Sequence, residues 1–197
     1  MRFLSATRLV VGFEHEGDAR RFWDAVRERL QKFSLSLHPD KTRLLEFGRF
    51  VAANRKRRGI GKPETFNFLG CTFIAGKSRQ GKFLLKRHSR RDRMRAKVKE
   101  VAGALRQRMH QSIPEQGKWL KQVVTGYFVY HAGPTNADAL VTFRNEIIAR
   151  WQWILHRRSQ KSALTWSRMK KLADDWLPKP QILHPWPSQR FAVRHPR

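Results

Sequence analysis

The sequence predicts an α+β fold in three parts: a β-α-β fragment with a basic hairpin over residues 1–87, a helical bundle over residues 88–177, and an extended tail over residues 178–197. Three observations carry this. Apolar residues alternate or run in short blocks in the first part, which is strand patterning, and recur every three or four residues in the second, which is helical. Gly and Pro punctuate the changes of period. Pro178, Pro180, Pro185 and Pro187 crowd the last part, which excludes a regular helix there.

Arg8-Leu9-Val10-Val11-Gly12-Phe13 is a β-rich run. From Asp18 the spacing of Phe22, Trp23, Val26, Leu30 and Phe33, with charges between, predicts an amphipathic helix. Residues 34–37 alternate polar and apolar, Pro39-Asp40 interrupts them, and Arg43-Leu44-Leu45-Glu46-Phe47 predicts another short strand. Residues 48–65 read as a basic loop. Two β-runs at 66–74 and 82–86 then flank Gly76-Lys77-Ser78-Arg79-Gln80-Gly81, a hairpin connection.

In the second part Met94, Val98, Val101, Leu105 and Met109 lie within roughly an 80° arc at about 100° per residue, and basic residues occupy much of the remaining circumference. Pro114 stands where a second helix begins, carrying Trp119, Leu120, Val123, Val124, Tyr127 and Phe128 as far as the Gly133-Pro134 break. Leu140, Phe143, Ile147, Trp151 and Ile154 predict a third helix, and Trp166, Met169, Leu172 and Trp176 a short fourth. Such stripes can bury one another as a bundle, with Trp119, Trp151, Trp166 and Trp176 expected in its core and Trp186 of the tail docked on it.

At 197 residues and 40% hydrophobic composition the chain can build a core, and 42 Lys and Arg against 15 Asp and Glu give a net charge of +27. A polyanion is the expected partner, and nucleic acid fits better than a membrane surface because the charge is spread over many segments. Cys71 stands alone, which excludes an internal disulfide and a thiolate zinc site and fits a reducing cytoplasm. No apolar run reaches the ~18 residues of a membrane span, and no leader pattern opens the chain, so cytoplasmic localisation is expected. Asp174-Asp175 would point about 100° apart on a helix. The histidines show no paired spacing, and Ser, His and Asp are unordered by any motif. No metal, cofactor, nuclease or hydrolase chemistry is expected.

The order of motifs is specific where each alone is weak. Leu9-Val10-Val11-Gly12-Phe13, a helix, Leu35-Ser36-Leu37-His38-Pro39-Asp40-Lys41-Thr42, a basic loop, Phe66-Asn67-Phe68-Leu69-Gly70, a basic hairpin and a tryptophan-rich helical segment follow one another. Together with Pro114-Glu115-Gln116-Gly117-Lys118-Trp119-Leu120, Arg157-Arg158-Ser159-Gln160-Lys161, Leu164-Thr165-Trp166 and Ile182-Leu183-His184-Pro185-Trp186-Pro187, this order resembles the C-terminal part of group II intron reverse transcriptase/maturases. The resemblance runs from about Leu9 almost to the C-terminus. It implies that the first part is the end of a reverse transcriptase palm and the second the thumb and maturase-specific domain.

The same resemblance implies binding of group II intron RNA, and help to its splicing as the further expectation. It also implies that polymerisation is lost. Two-metal phosphoryl transfer needs clustered carboxylates. The family carries two of them in a Tyr-Ala-Asp-Asp turn directly before the strand placed at Leu9, and the aligned positions here hold Thr7 and Arg8. The third aspartate would fall before Met1. Read one nucleotide out of frame, the codons CGC TAC GCG GAC of Arg-Tyr-Ala-Asp give Ala-Thr-Arg, the tripeptide at Ala6-Thr7-Arg8. Residues 1–8 are therefore expected to be an out-of-frame remnant joined to an in-frame body, which the bases before the Leu9 codon test.

Lys and Arg bring affinity for RNA through counterion release, and aromatics among them can stack on unpaired bases. The candidate contacts are Arg55, Lys56, Arg57, Arg58, Lys86, Arg87, Arg90, Arg91, Arg95, Arg157, Arg158 and Lys161. Two other readings stay open: the C-terminal piece of a split RNA-directed DNA polymerase completed by another chain, and a basic protein that binds RNA or DNA without specificity.

Overall fold

A computed structural model of the chain describes residues 9–158 and 164–186. Thr7, Arg8 and Lys161 lie outside the described residues. The fold is α+β, with six α-helices and one three-stranded antiparallel sheet among the described residues. The chain divides into two compact units, Met1–Phe68 with Ile74–Leu84, and Leu69–Phe73 with Leu85–Arg197.

The first unit begins with residues 9–13 in an irregular conformation and continues into α1 (Glu16–Gln31). The strands expected at 8–13 and 43–47 do not form in the described residues, so the β-α-β fragment is corrected to a helix flanked by irregular segments. The cause is that a strand is stabilised by its ladder, and neither run finds one. Leu9 is 71% exposed as a result. Phe13 packs against Phe22 of α1, the rings tilted with centroids 5.2 Å apart.

The basic loop is also corrected, because it contains a helix, α2 (Val51–Arg57). Ala, Arg and Lys are good helix formers, a preference masked by the loop-like charge run. Gly59 ends the helix in a left-handed conformation at φ +68°. Its N–H donates to the Lys56 carbonyl, and the Ile60 N–H to the Arg55 carbonyl at 3.0 Å, the paired bonds of a Schellman cap.

The β-run at 66–74 is two strands, β1 (Thr65–Phe68) and β2 (Cys71–Lys77), and β3 (Phe83–Ser89) completes the order β1-β2-β3. Leu69 at φ 45° and Gly70 at φ 74° make the reversal between β1 and β2. Two consecutive positive φ values match the right-handed twist of a two-residue hairpin.

The second unit is built on α3 (Arg91–Gln107), α4 (Ile113–His131), α5 (Ala137–Arg158) and α6 (Trp166–Trp176). Val98, Val101 and Leu105 of α3 meet Leu120, Val124 and Phe128 of α4, Phe143, Ile147 and Trp151 of α5 and Met169 of α6 in one core. Burying such side chains stabilises by about 1.5–3 kcal/mol each. Tyr127 stacks on Phe143 with centroids 3.6 Å apart.

The segment from Pro114 to Leu120 organises this bundle. Ser112 and Glu115 form a capping box, in which the Glu115 carboxylate accepts the Ser112 N–H at 2.8 Å. The hydrogen bonds from Ser112 hold the Glu115 carboxyl below its usual range. Gln116 is fully buried, and its Nε2 donates to the carbonyls of Arg108, Met109 and Gln111, closing the end of α3. Its Oε1 accepts the indole N–H of Trp151 at 2.8 Å. Gly117 seats Trp176, because a Cβ there would lie 2.4 Å from Trp176 Cδ2.

Arg144 of α5 ties down the end of α6, donating to Asp174 at 2.7 Å, to the Ala173 carbonyl and to the Pro178 carbonyl. Asp174 thus has a structural partner. Residues 178–186 continue without a helix, and the N–H groups of Leu183 and His184 both donate to the Ala132 carbonyl. Trp151 is buried as expected, whereas Trp166 is 40% exposed, a correction to its expected place in the core. At the first helical position it sits beyond the reach of the packed turns.

Candidate nucleic-acid interface

Fixed acidic partners decide which cations remain available to an anion. In the first unit the candidates at 55–58 lie on or just beyond α2. Arg55 points inward, pairing with Glu64 at 3.3 Å and donating to the Ile60 carbonyl at 3.1 Å. Arg58 pairs with Glu46, whose carboxyl is held below its usual range by the hydrogen bond from Asn54 and then by Arg58. These two arginines brace the local chain. Lys56 and Arg57 are exposed, with Arg57 held only by a 3.4 Å bond to Asn54 Oδ1.

In the second unit Lys86 and Arg87 are on β3, Arg90 caps α3, and Arg91 and Arg95 lie exposed along it. Arg90 pairs with Asp92 at 2.5 Å and lowers the pKa of that carboxyl. Arg157 and Arg158 end α5.

α3 and α5 pack along each other, and their outer edges bring together what the sequence separates. Arg106 of α3 and Arg157 of α5 both stand over the Trp153 ring, at 5.2 and 4.8 Å from its centroid. Trp153 is 41% exposed, and neither guanidinium meets a carboxylate among the described residues. Indole faces attract and orient guanidinium groups, so this arrangement presents two ordered, unneutralised cations. A second stack, Arg108 over Trp119 at 4.6 Å, stands near the end of α3.

Arg106 and Trp153 were not among the sequence candidates, and two local signals could have found them. Arg95, Lys99 and Arg106 fall within roughly a 40° arc at about 100° per residue. Trp153 and Arg157 stand at i, i+4.

A polar cluster lies in the same unit, beside the first residues of α3 and α5 rather than at the last turns that carry the edge. Ser89 Oγ is 3.0 Å from His131 Nδ1, and the Asn136 amide donates to Ser89 Oγ and to the His131 carbonyl at 2.8 Å. This is a brace between β3 and the α4–α5 connection. Among the described residues no carboxylate orients the imidazole, and burial, with Arg87 beside it, holds the His131 pKa down to about 4, which disfavours the imidazolium a general base must form. Among the described residues no three of His, Cys, Asp and Glu converge to hold a metal ion, and no helix is long and apolar enough to cross a membrane.

No protein-family model and no curated protein matches the chain.

Proposed function

We propose that this chain is an RNA-binding protein similar to the C-terminal part of group II intron maturases, which grips intron RNA and assists its splicing without polymerising. The motif order supports the kinship, and the palm, thumb and maturase-domain assignments rest on that resemblance. Thr7 and Arg8 at the aligned aspartate positions support loss of reverse transcriptase activity, since a hydroxyl and a cation cannot hold two magnesium ions.

The observation that carries RNA binding is the α3–α5 edge, where Arg106, Trp153 and Arg157 expose two oriented cations without carboxylate partners in a chain of net charge +27. Such a surface favours phosphate by counterion release. The test is binding of a group II intron RNA against an unrelated RNA and a duplex DNA of equal length, across a salt series. Preference for the intron RNA at about 150 mM salt is expected. Equal affinity for all three leaves only non-specific nucleic-acid binding.

One observation favours the split-polymerase reading. Leu9 is 71% and Phe50 68% exposed, and Ala19 and Val51 are the buried apolar residues of the first unit among those described. Exposed apolar side chains above so small a core suit a complementing chain that carries the remaining palm and the aspartates. Co-purification with such a chain and recovered polymerase activity would support it.

A further inference from the structure

Within the second unit a cleft of about 560 Å³ is lined by Phe73, Leu85, Arg87, Tyr130, His184 and Trp186, among others. Its walls are held in place. Tyr130 donates its hydroxyl to the Leu69 carbonyl at 2.8 Å, and His184 Nε2 is 2.7 Å from the Val129 carbonyl oxygen. Gly126 adds no side chain, and a Cβ there would meet nothing within 4 Å, so the opening at this point is clear.

Arg87 is the charged group of the cleft, and its backbone is clamped. Its N–H donates to Thr135 Oγ1 at 2.8 Å, and its carbonyl accepts the Thr135 hydroxyl at 3.1 Å. Its guanidinium packs where a Cβ on Gly133 would stand, with Nη2 2.9 Å from that point. Arg87 is half-buried, and no carboxylate among the described residues pairs with it.

The ionisable neighbours do not compensate this charge. Burial raises the pKa of the Cys71 thiol and of the Tyr127 hydroxyl, so neither offers an anion near neutral pH. His131, held to about 4, is neutral as well. A half-buried guanidinium with no acceptor loses hydration without replacement, and an anion from outside restores it. Aromatic walls beside a fixed guanidinium are complementary to a base beside its phosphate.

We infer that this cleft binds one nucleotide of single-stranded RNA, with its phosphate on Arg87 and its base against Tyr130 and Trp186. The site rests on the RNA-binding reading above and is separate in its residues from the α3–α5 edge.

The test uses the full chain and a labelled single-stranded hexaribonucleotide, read by fluorescence anisotropy, with Arg87→Gln and Tyr130→Leu as cleft variants and Arg157→Gln as the edge variant. Thermal melting accompanies each one. Arg87→Gln is expected to melt no lower than the parent chain, because it removes an uncompensated charge, while hexanucleotide affinity falls at least about tenfold. Tyr130→Leu is expected to weaken binding by a factor of roughly 5 or more. AMP is expected to compete at lower concentration than inorganic phosphate.

Hexanucleotide affinities within twofold of the parent for both cleft variants overturn the site. Phosphate competing as well as AMP overturns the base contact. If Arg157→Gln weakens intron RNA while both cleft variants bind normally, the cleft fails and the RNA-binding reading stands. If intron RNA shows no preference over unrelated RNA while the cleft variants lose the hexanucleotide, the cleft stands and the intron-specific reading fails.

Discussion

Replacing Arg106 and Arg157 together by Gln tests the α3–α5 edge most directly, because both guanidiniums stand over one indole and meet no carboxylate among the described residues. Each contact to single-stranded RNA contributes about 0.7 to the slope of log affinity against log salt, so losing two makes the slope shallower by about 1.4. Between about 50 and 200 mM salt the loss of affinity then shrinks roughly sevenfold relative to the parent chain. Trp153→Leu keeps both charges and removes the surface that orders them. Immobilising a long side chain costs about 0.5–1.5 kcal/mol, so two disordered arginines cost about 1–3 kcal/mol, or roughly 5- to 150-fold in affinity, at an unchanged slope. Filter binding or anisotropy over a salt series separates the two behaviours. A double variant with the parent's slope and affinity refutes the assignment of this edge, and an undiminished Trp153→Leu refutes the ordering argument.

Gly117→Ala places a Cβ 2.4 Å from Trp176 Cδ2. Overpacking of about 1–3 kcal/mol or more outweighs the roughly 1 kcal/mol that Ala gains in helix propensity, and chemical denaturation should show a net loss. Gln116→Met takes the acceptor from the Trp151 indole N–H and the side-chain donor from the Met109 and Gln111 carbonyls, an expected destabilisation of about 2–4 kcal/mol with unchanged denaturant dependence. A variant within about 0.5 kcal/mol of the parent contradicts the bridging role. His131 has a folded pKa of about 4 against 6.5 unfolded, so the unfolded chain takes up the proton first as pH falls. Above pH 6.5 this group adds no pH dependence; between 6.5 and 4 it removes stability on the order of 2–3 kcal/mol, and His131→Gln should flatten that part of the stability–pH curve.

The four helices of the second unit were legible because their signals are local. Leu105 stands seven residues after Val98, the Ser112 and Glu115 capping pair lies within one turn, and the Thr165 side chain caps α6 by accepting the Arg168 N–H. The first unit was legible only in part. Leu9-Val10-Val11 has strand chemistry, but a strand forms through a partner distant in sequence, and the pattern does not say whether one is present. α2 was hidden because Arg55, Lys56, Arg57 and Arg58 are equally at home in a solvated loop and on a short helix closed by Gly59. Trp166 and Trp151 share helical spacing, and only their depth in the packed turns separates an exposed ring from a buried one.

By itself the sequence determined the α+β class, the helices of the second unit and an excess of cations that calls for a polyanion, because composition and 3.6-residue periodicity need no knowledge of distant neighbours. Only the tertiary structure decided which cations are already neutralised. Arg55 is paired with Glu64, Arg58 with Glu46, Arg90 with Asp92 and Arg144 with Asp174, while Arg87, Arg106 and Arg157 meet no carboxylate among the described residues. Ion pairing depends on separations of a few ångströms in space, and Arg144 finds its carboxylate thirty positions along the chain. With 42 basic side chains and 15 acidic ones, the sequence shows that most cations go unpaired, and the fold chooses which.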